Sequence, residues 1–440
     1  MDYRESRAFV EEAGRAKGGP VLGLASMRQM LDRLGNPQDE LMYVHVAGTN
    51  GKGSVIAYLY TVLNEAGYRV GRYISPTLYS YRERMEVAGE QIRREKFAEY
   101  VTAVAEVARQ MEKEGLAMPS PFEIETAVAF LYFREERCSL VLLEVGMGGN
   151  LDATNIIKNT KLAVLTPISM DHMAFLGNTL EEIARKKAGI IKKGCQVACA
   201  KQKDKAWEAI LCACREKNVP YTIADASLAE TEKESIWGQT FHYKGETYEI
   251  SIGGTCQKEN AVLALTALEL LDGMGYPTTL AQRKRGLART RWNGRFSVLC
   301  EKPLFVVDGA HNPGAADQMA DSIRHYFSGK RMIFIMGMFR DKDYRGVLER
   351  TARFADKILT ISTPDNPRAL PARKLAQAAG EFHPDVESME SIKEAVARAF
   401  ELAGEEDVIL AFGSLSNIGE ITRIVDEEKR GTVVPLETRG

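Results

Sequence analysis

Apolar and polar positions along the chain follow two rhythms. Continuous apolar runs of four to six residues that end in glycine or a polar group predict strands buried on both faces. They lie at 42–47, 140–145 and 162–166, then, as strand-like runs, at 304–307, 332–336, 357–361 and 408–412, and a further strand is placed around Arg69–Ile74. Between them, apolar residues three and four apart predict helices. These cover 27–34, a stretch from Ser54 with Val55, Tyr58, Leu59 and Val62 on one face, 93–114, 123–136, 259–271, 314–327, 343–354, 371–380 and 391–403. Residues 1–40 read as a helical entry, stopped by Gly35-Asn36-Pro37. Over 195–255 the pattern breaks into shorter elements, with a hairpin of 240–243 and 247–250 around Lys244-Gly245-Glu246. An Arg- and Gly-containing linker is predicted at 282–295, and strand–helix alternation restarts near 296. The fold class is therefore α/β, with a doubly wound, mostly parallel sheet in an N-terminal P-loop-type domain. That domain is placed at residues 1–295, and a second, Rossmann-like α/β domain at 296–440. A chain of 440 residues exceeds one ordinary core, which agrees with two domains.

Chemistry concentrates where strands end, the place where open α/β sheets bind ligands. The run 42–47 meets Gly48-Thr49-Asn50-Gly51-Lys52-Gly53-Ser54, and a helix follows. A glycine-rich turn between strand and helix presents backbone N–H groups to an anion, and Lys52 adds a full charge. The common phosphate-loop pattern is not met, because Val46 stands where the first glycine belongs and Gly53 follows the lysine. Glu144 ends the next apolar run and precedes Gly146, Gly148 and Gly149, a position from which a carboxylate can hold Mg²⁺. Asp171-His172 is read as the end of the run after that, and Asp308-Gly309-Ala310-His311-Asn312-Pro313 follows the first strand of the second domain. Polar strand ends in two domains suggest a ligand held between them.

Bulk properties narrow the class. Lys+Arg 58 against Asp+Glu 60 gives a net charge of −2, which offers no basis for nucleic-acid or anionic-membrane binding. No apolar stretch is long enough to span a bilayer and the N-terminus is polar, so a cytoplasmic protein is expected. Seven cysteines, an odd number, fit reduced thiols. Cys195/Cys199 and Cys212/Cys214 lack partner pairs at metal-binding spacing.

The ordered set of motifs resembles the folylpolyglutamate synthase/dihydrofolate synthase family of the Mur ligase superfamily, from about residue 27 to 418. It comprises His45 to Ser54, Ser75-Pro76, Phe122-Glu123, Glu144 to Gly149, Leu151 to Asn155, Lys187 to Ile190, Asn260-Ala261, Gly294-Arg295, Asp308 to Pro313, Asp341 to Asp343 and Gly413 to Leu415. The resemblance implies that Asn50, Gly51, Lys52, Gly53 and Ser54 wrap ATP phosphates, and that Asn260, Arg295, Asp308 and His311 complete the ATP site. It implies that Ser75, Glu144 and His172 hold two Mg²⁺ ions, with Ser75 supplying the hydroxyl that Gly53 lacks. Lys187 would be carbamylated, and Lys52, His172 and Lys187 would form the catalytic group. Ser120, Pro121, Phe122, Glu123, Leu151, Asp152 and Ala153 would line a pterin site. The implied reaction is ATP-driven coupling of L-glutamate to a pteroate or folate carboxylate through an acyl phosphate, by a monomer.

Five positions depart from the family's usual residues: Thr77, Asn150, Lys186, Cys256 and Asn293. They leave open a Mur-type ligase with a different carboxylate substrate. A nucleotide-binding regulatory protein without ligation is the third reading. Retention of Glu144, His172, Lys187 and Asp308 together argues against it, because phosphate binding alone needs no metal set.

Overall fold

The computed structural model describes residues 1–15 and 23–432. Residues 16–22 of the expected helical entry and 433–440 of the expected second domain lie outside the described residues. Eight strands form the first sheet: β1 (Tyr43–Ala47), β2 (Val70–Tyr73), β3 (Met85–Val87), β4 (Glu90–Gln91), β5 (Leu140–Glu144), β6 (Thr160–Leu165), β7 (Gln196–Ala200) and β8 (Tyr221–Ala224). Their order is β4-β3-β2-β5-β1-β6-β7-β8. The six strands from β2 to β8 run parallel, and β3 and β4 add an antiparallel edge.

Continuous apolar runs in β1, β5 and β6 are explained by cover on both faces. Val44, Val46, Leu140 and Leu142 pack into one core, with helix Lys52–Glu65 and helix Gln257–Asp272. Their neighbours Tyr43, Val141 and Leu143 pack into another, with helix Arg94–Lys113 and helix Pro121–Glu135. Successive strand residues point to opposite faces, so one run feeds two cores. Each fully buried Leu, Val or Ile side chain contributes roughly 1.5–3 kcal/mol.

A three-stranded antiparallel sheet, β9 (Glu230–Ser235), β10 (Gly238–Tyr243) and β11 (Glu246–Ile250), contains the expected hairpin. Phe241, Tyr243 and Tyr248 join it to the core over helix Gln257–Asp272. The third sheet holds β12 (Ser297–Glu301), β13 (Leu304–Val307), β14 (Met332–Met336), β15 (Lys357–Thr360), β16 (Val386–Ser388) and β17 (Val408–Phe412). Its order is β12-β13-β17-β14-β15-β16, parallel except for β12.

Three expectations need correction. Most of the stretch expected to be a linker at 282–295 is helix: Leu280–Arg289 starts at a reciprocal cap between Thr279 and Gln282. Only Gly286 and Leu287 of it are buried, too few apolar positions to register as a period. Residues 204–217 within the supposedly irregular section form helix Asp204–Lys217. Asp171-His172 does not end a strand, because β6 stops at Leu165 and His172 adopts a left-handed conformation with φ 49°. All seven cysteines are free, and no helix among the described residues is long and apolar enough to cross a membrane.

Candidate active site

The C-terminal ends of β1, β5 and β6 face the start of the third sheet across a polar cavity. β1 delivers the glycine-rich turn. Gly51 takes φ 89°, a left-handed conformation that favours glycine, and helix Lys52–Glu65 starts beside it, two residues earlier than the sequence pattern indicates. The first amides of that helix have no partner within it and can meet an anion. The turn is pinned from β6: Thr49 N and Asn50 N donate to Pro167 O at 3.0 and 3.4 Å, and the Thr49 hydroxyl donates to Ser169 O at 3.0 Å. Gly53 has a packing reason. A Cβ there would meet the Trp292 indole at 2.6 Å, so the segment before the third sheet rests on the turn.

Two lysines converge on this turn. Lys52 Nζ donates to the carbonyls of Gly48 and Thr49 at 3.4 and 3.3 Å and lies 3.8 Å from the Glu144 carboxylate. Lys187 Nζ donates to Gly48 O at 2.7 Å. Lys187 is buried, and burial, with the Lys52 charge second, lowers its pKa to about 7. A substantial neutral fraction of that amine exists at neutral pH. Glu144 is buried, and desolvation raises its pKa against the opposing pull of Lys52 and the Ser75 amide, which donates to it at 3.1 Å.

Asp171 ties the two sheets together. Its carboxylate accepts from Lys342 Nζ at 2.8 Å and from Asn312 Nδ2 at 3.2 Å, and the His311 ring lies 3.9 Å away. Burial alone would raise the Asp171 carboxyl, but the Lys342 ammonium and two imidazoles outweigh it and hold it well below its ordinary range. Asn312 and Asn50 exchange amide hydrogen bonds at 3.1 and 3.2 Å. Lys342 Nζ also meets His172 Nε2 at 3.2 Å, so that nitrogen accepts and the ring is neutral. Burial, then the Lys342 charge, lowers the His172 pKa to about 4.

From the third sheet, Asp308 accepts from Phe296 N at 2.9 Å and Ala310 N at 2.8 Å. Burial raises its pKa against the opposing Arg295 charge. The Arg295 guanidinium lies against Gly309. His311 shares a hydrogen of its ring Nδ1 with Gly309 O at 2.7 Å, and burial, then Lys342, lowers its pKa to about 3.

Thus the structure brings together Asn50 to Ser54, Ser75, Glu144, His172, Lys187, Asn260, Arg295, Asp308 and His311 around one cavity. Among the described residues, no three His, Cys, Asp or Glu side chains cluster as a preformed metal site. The residues expected at a pterin site stand apart from the cavity wall. Ser120 and Glu123 cap helix Pro121–Glu135 and bond each other, with Pro121 in its first turn. Phe122 lies against Gly146, where a Cβ would meet its ring at 2.6 Å. Asp152 holds the Met147 amide at 2.8 Å and caps the short turn that begins at Ala153, while Leu151 is exposed. Sequence reasoning did not assign Asp171, Asn312 or Lys342 to the site. The sequence signals for them were the Asp171-His172 pair read at a strand end and, for Asn312 and Lys342, membership of the Asp308 to Pro313 and Asp341 to Asp343 motifs.

Comparison with known proteins places this architecture. Residues 46–268 match the Mur ligase middle domain and residues 294–415 match the Mur ligase, glutamate ligase domain. The chain is 34% identical over 431 residues to a dihydrofolate synthase/folylpolyglutamate synthase of Bacillus subtilis, covering 96% of this chain and 98% of that one. It superposes with a TM-score of 0.87, at 29% identity, on Mycobacterium tuberculosis folylpolyglutamate synthase complexed with ADP and AMPPCP, covering 96% and 99% of the two chains. For Escherichia coli FolC in complex with DHPP and ADP the TM-score is 0.84, at 27% identity, covering 98% and 99%. With both domain families matched in order and a full-length relative above 30% identity, the chain belongs to the folylpolyglutamate synthase/dihydrofolate synthase family of ATP-dependent Mur ligases.

Proposed function

We propose that this ligase couples L-glutamate to the carboxylate of a pteroate or folate at the cavity between the two sheets, using ATP. One observation carries the reading: two lysines, a buried carboxylate and an imidazole from the first sheet face Arg295, Asp308 and His311 from the third across one cavity. The phosphates lie on the Gly51 to Ser54 turn, and Asn260, Arg295, Asp308 and His311 hold the rest of the nucleotide. The division into residues 1–295 and 296–440 is part of this reading. Lys52 balances charge on the phosphoryl group as it passes to the substrate carboxylate. The amine of glutamate then displaces phosphate from the resulting acyl phosphate. The pterin ring sits beside Phe122 and residues 151–153, with Ser120, Pro121 and Glu123 shaping the approach.

The donor set fits magnesium. Glu144 is a buried carboxylate faced by one ammonium at 3.8 Å, Ser75 adjoins it, and His172 Nε2 carries the lone pair that accepts from Lys342, which a metal ion would have to displace. Ser75, Glu144 and His172 would hold two Mg²⁺ ions, which neutralise charge on the nucleotide phosphates when bound. Lys187, buried with a depressed pKa, is suited to carbamylation by CO₂, which would turn a cation into an anion beside that set.

The test is ADP release by purified protein with ATP, Mg²⁺ and L-glutamate, plus dihydropteroate or tetrahydrofolate. Stimulation by at least one pterin is expected, and Lys52→Ala should lower kcat by about 10²–10³. Stimulation by neither pterin overturns the substrate assignment.

A further inference from the structure

His45 lies in the middle of β1, fully buried, and the reaction described above does not use it. Its Nε2 is 2.9 Å from the Thr154 hydroxyl. That hydroxyl lies 2.5 Å from Asp152 Oδ1 and donates to it. Asp152 Oδ1 also accepts the Thr154 amide at 3.0 Å, and Oδ2 accepts the Met147 amide at 2.8 Å. The Gly146 amide also favours the ionised form of this carboxylate. Asp152 thereby holds the Met147 amide and the turn at Thr154. Its role as seen is to hold a loop.

The direction of the chain follows from proton accounting. Burial raises the Asp152 pKa, but the hydrogen bonds from Thr154 and Met147 oppose that and favour the carboxylate; a carboxylate only accepts, so the Thr154 hydroxyl donates to it. The Thr154 oxygen then accepts, and His45 must carry its single proton on Nε2. Burial, with Lys192 second, lowers the His45 pKa to about 3, so the ring stays neutral. Its Nδ1 has no hydrogen-bond partner. A leucine in this strand position would avoid that unpaired nitrogen, so the residue's contribution lies in the Nε2 donor.

The loop at the end of this chain touches everything around it. Phe122 rests on Gly146, and a Cβ on Gly149 would meet the carbonyls of Lys186 and Lys187 at 2.6 and 2.8 Å. Gly146, Met147 and Gly148 line the cavity. We infer that His45 is a positioning residue, which acts through Thr154 and Asp152 to set the Gly146 to Gly149 loop between Phe122 and the cavity. The substrate this affects is the pterin, and that part rests on the function proposed above. The buried polar chain orders the loop before substrate arrives, as in sites whose supporting hydrogen bonds fix the contacting groups.

The experiment compares His45→Leu, His45→Gln and Thr154→Val with the unaltered protein. Steady-state kinetics give separate KM values for pterin and ATP, and hydrogen exchange is followed over residues 145–149 and over β1. His45→Leu and Thr154→Val should each raise the pterin KM about tenfold while the ATP KM stays within twofold. Both should speed exchange at Gly146 and Met147 without speeding it in β1. The double variant should be no worse than either single one, because both break one chain. His45→Gln, whose amide can replace the Nε2 donor, should restore most of the loss. Unchanged pterin KM and loop exchange in the two single variants overturns the inference, as does an equal rise in both KM values with exchange spread through β1. If His45→Leu does not fold, Thr154→Val carries the same prediction with the strand intact. If the unaltered protein shows no pterin-dependent ADP release, the substrate reading falls, and loop exchange alone then decides whether the relay exists.

Discussion

At the scale of single residues, the site was legible wherever a functional group sits within a few positions of a strand end. Glu144 is the last residue of β5, and Lys52 lies five residues after the end of β1. Asp171 was not legible as a hub, because Asn312 and Lys342 are 141 and 171 residues away in sequence. Ser120 and Glu123 carried a second legible meaning. Their spacing is that of a reciprocal helix cap, and the structure uses them as one. Lys187 yields the clearest prediction at this scale. Its folded pKa of about 7 lies below the ordinary 10.5, so its neutral, CO₂-reactive fraction grows as pH rises past 7. Turnover in CO₂-depleted buffer should fall severalfold and return on adding bicarbonate, with faster recovery at pH 8 than at pH 6.5. Lys187→Gln should be nearly inactive and indifferent to bicarbonate. A bicarbonate-independent wild-type rate across that range would exclude carbamylation.

Elements were legible in proportion to their apolar content. The central parallel strands β1, β5, β6, β13, β14 and β17 announced themselves because both faces are covered, whereas β7, built of Gln, Ala and Cys, and the more exposed β8, β16 and helix Leu280–Arg289 did not. That helix depends on close contact more than on area. Gly286 sits on helix Lys52–Glu65, where an added Cβ would meet Val62 Cγ2 at 2.6 Å and Val62 Cα at 2.7 Å. Intrinsic helix propensity favours alanine over glycine by about 1 kcal/mol. Overpacking against backbone opposes it by typically 1–3 kcal/mol. Contact should win, so Gly286→Ala is expected to destabilise the protein by about 1–2 kcal/mol in urea unfolding. As helix Lys52–Glu65 begins at the glycine-rich turn proposed to hold phosphates, the same variant should weaken nucleotide binding. Thr279→Ala removes only the cap, at a cost of about 1 kcal/mol, and should leave nucleotide affinity unchanged. A stabilised Gly286→Ala protein would show that helix Lys52–Glu65 yields at this contact.

Across the whole molecule, closure of the third sheet over the first combines apolar contacts, such as Leu78 against the third-sheet core and Trp292 against Gly53, with a few polar bonds. The Asp171–Lys342 pair is the most buried of them, with side chains 9% and 6% exposed. Beside it lie the paired amides of Asn50 and Asn312. Breaking a buried pair by removing one partner costs about 3–5 kcal/mol, because a charge is left without compensation. Here the chain can relieve that cost by separating the sheets and hydrating Asp171, without unfolding either core. Lys342→Met should therefore enlarge the radius of gyration in X-ray scattering and split the calorimetric transition in two, while each half keeps its circular dichroism. On the acid side the pH dependence has a fixed sign. Asp171 has its carboxyl held below the ordinary 3.8, so its contribution to closure is complete above that value and is lost as pH falls through the lower, folded one. Burial lowers the Lys342 pKa as well, so scattering should be constant from about pH 5 to 7 and expand in stronger acid as Asp171 is protonated or in alkali as Lys342 loses its charge. An opening between pH 5 and 7 would point to another group and remove Asp171 as the hub. Because Lys342 also bonds His172 at 3.2 Å, closure and the state of the His172 imidazole are set by the same ammonium. A Lys342→Met protein should thus lose kcat by a larger factor than it loses ATP affinity, since the nucleotide contacts on the first sheet survive opening. Equal losses in both would mean that Lys342 serves nucleotide binding rather than the assembly of the closed site.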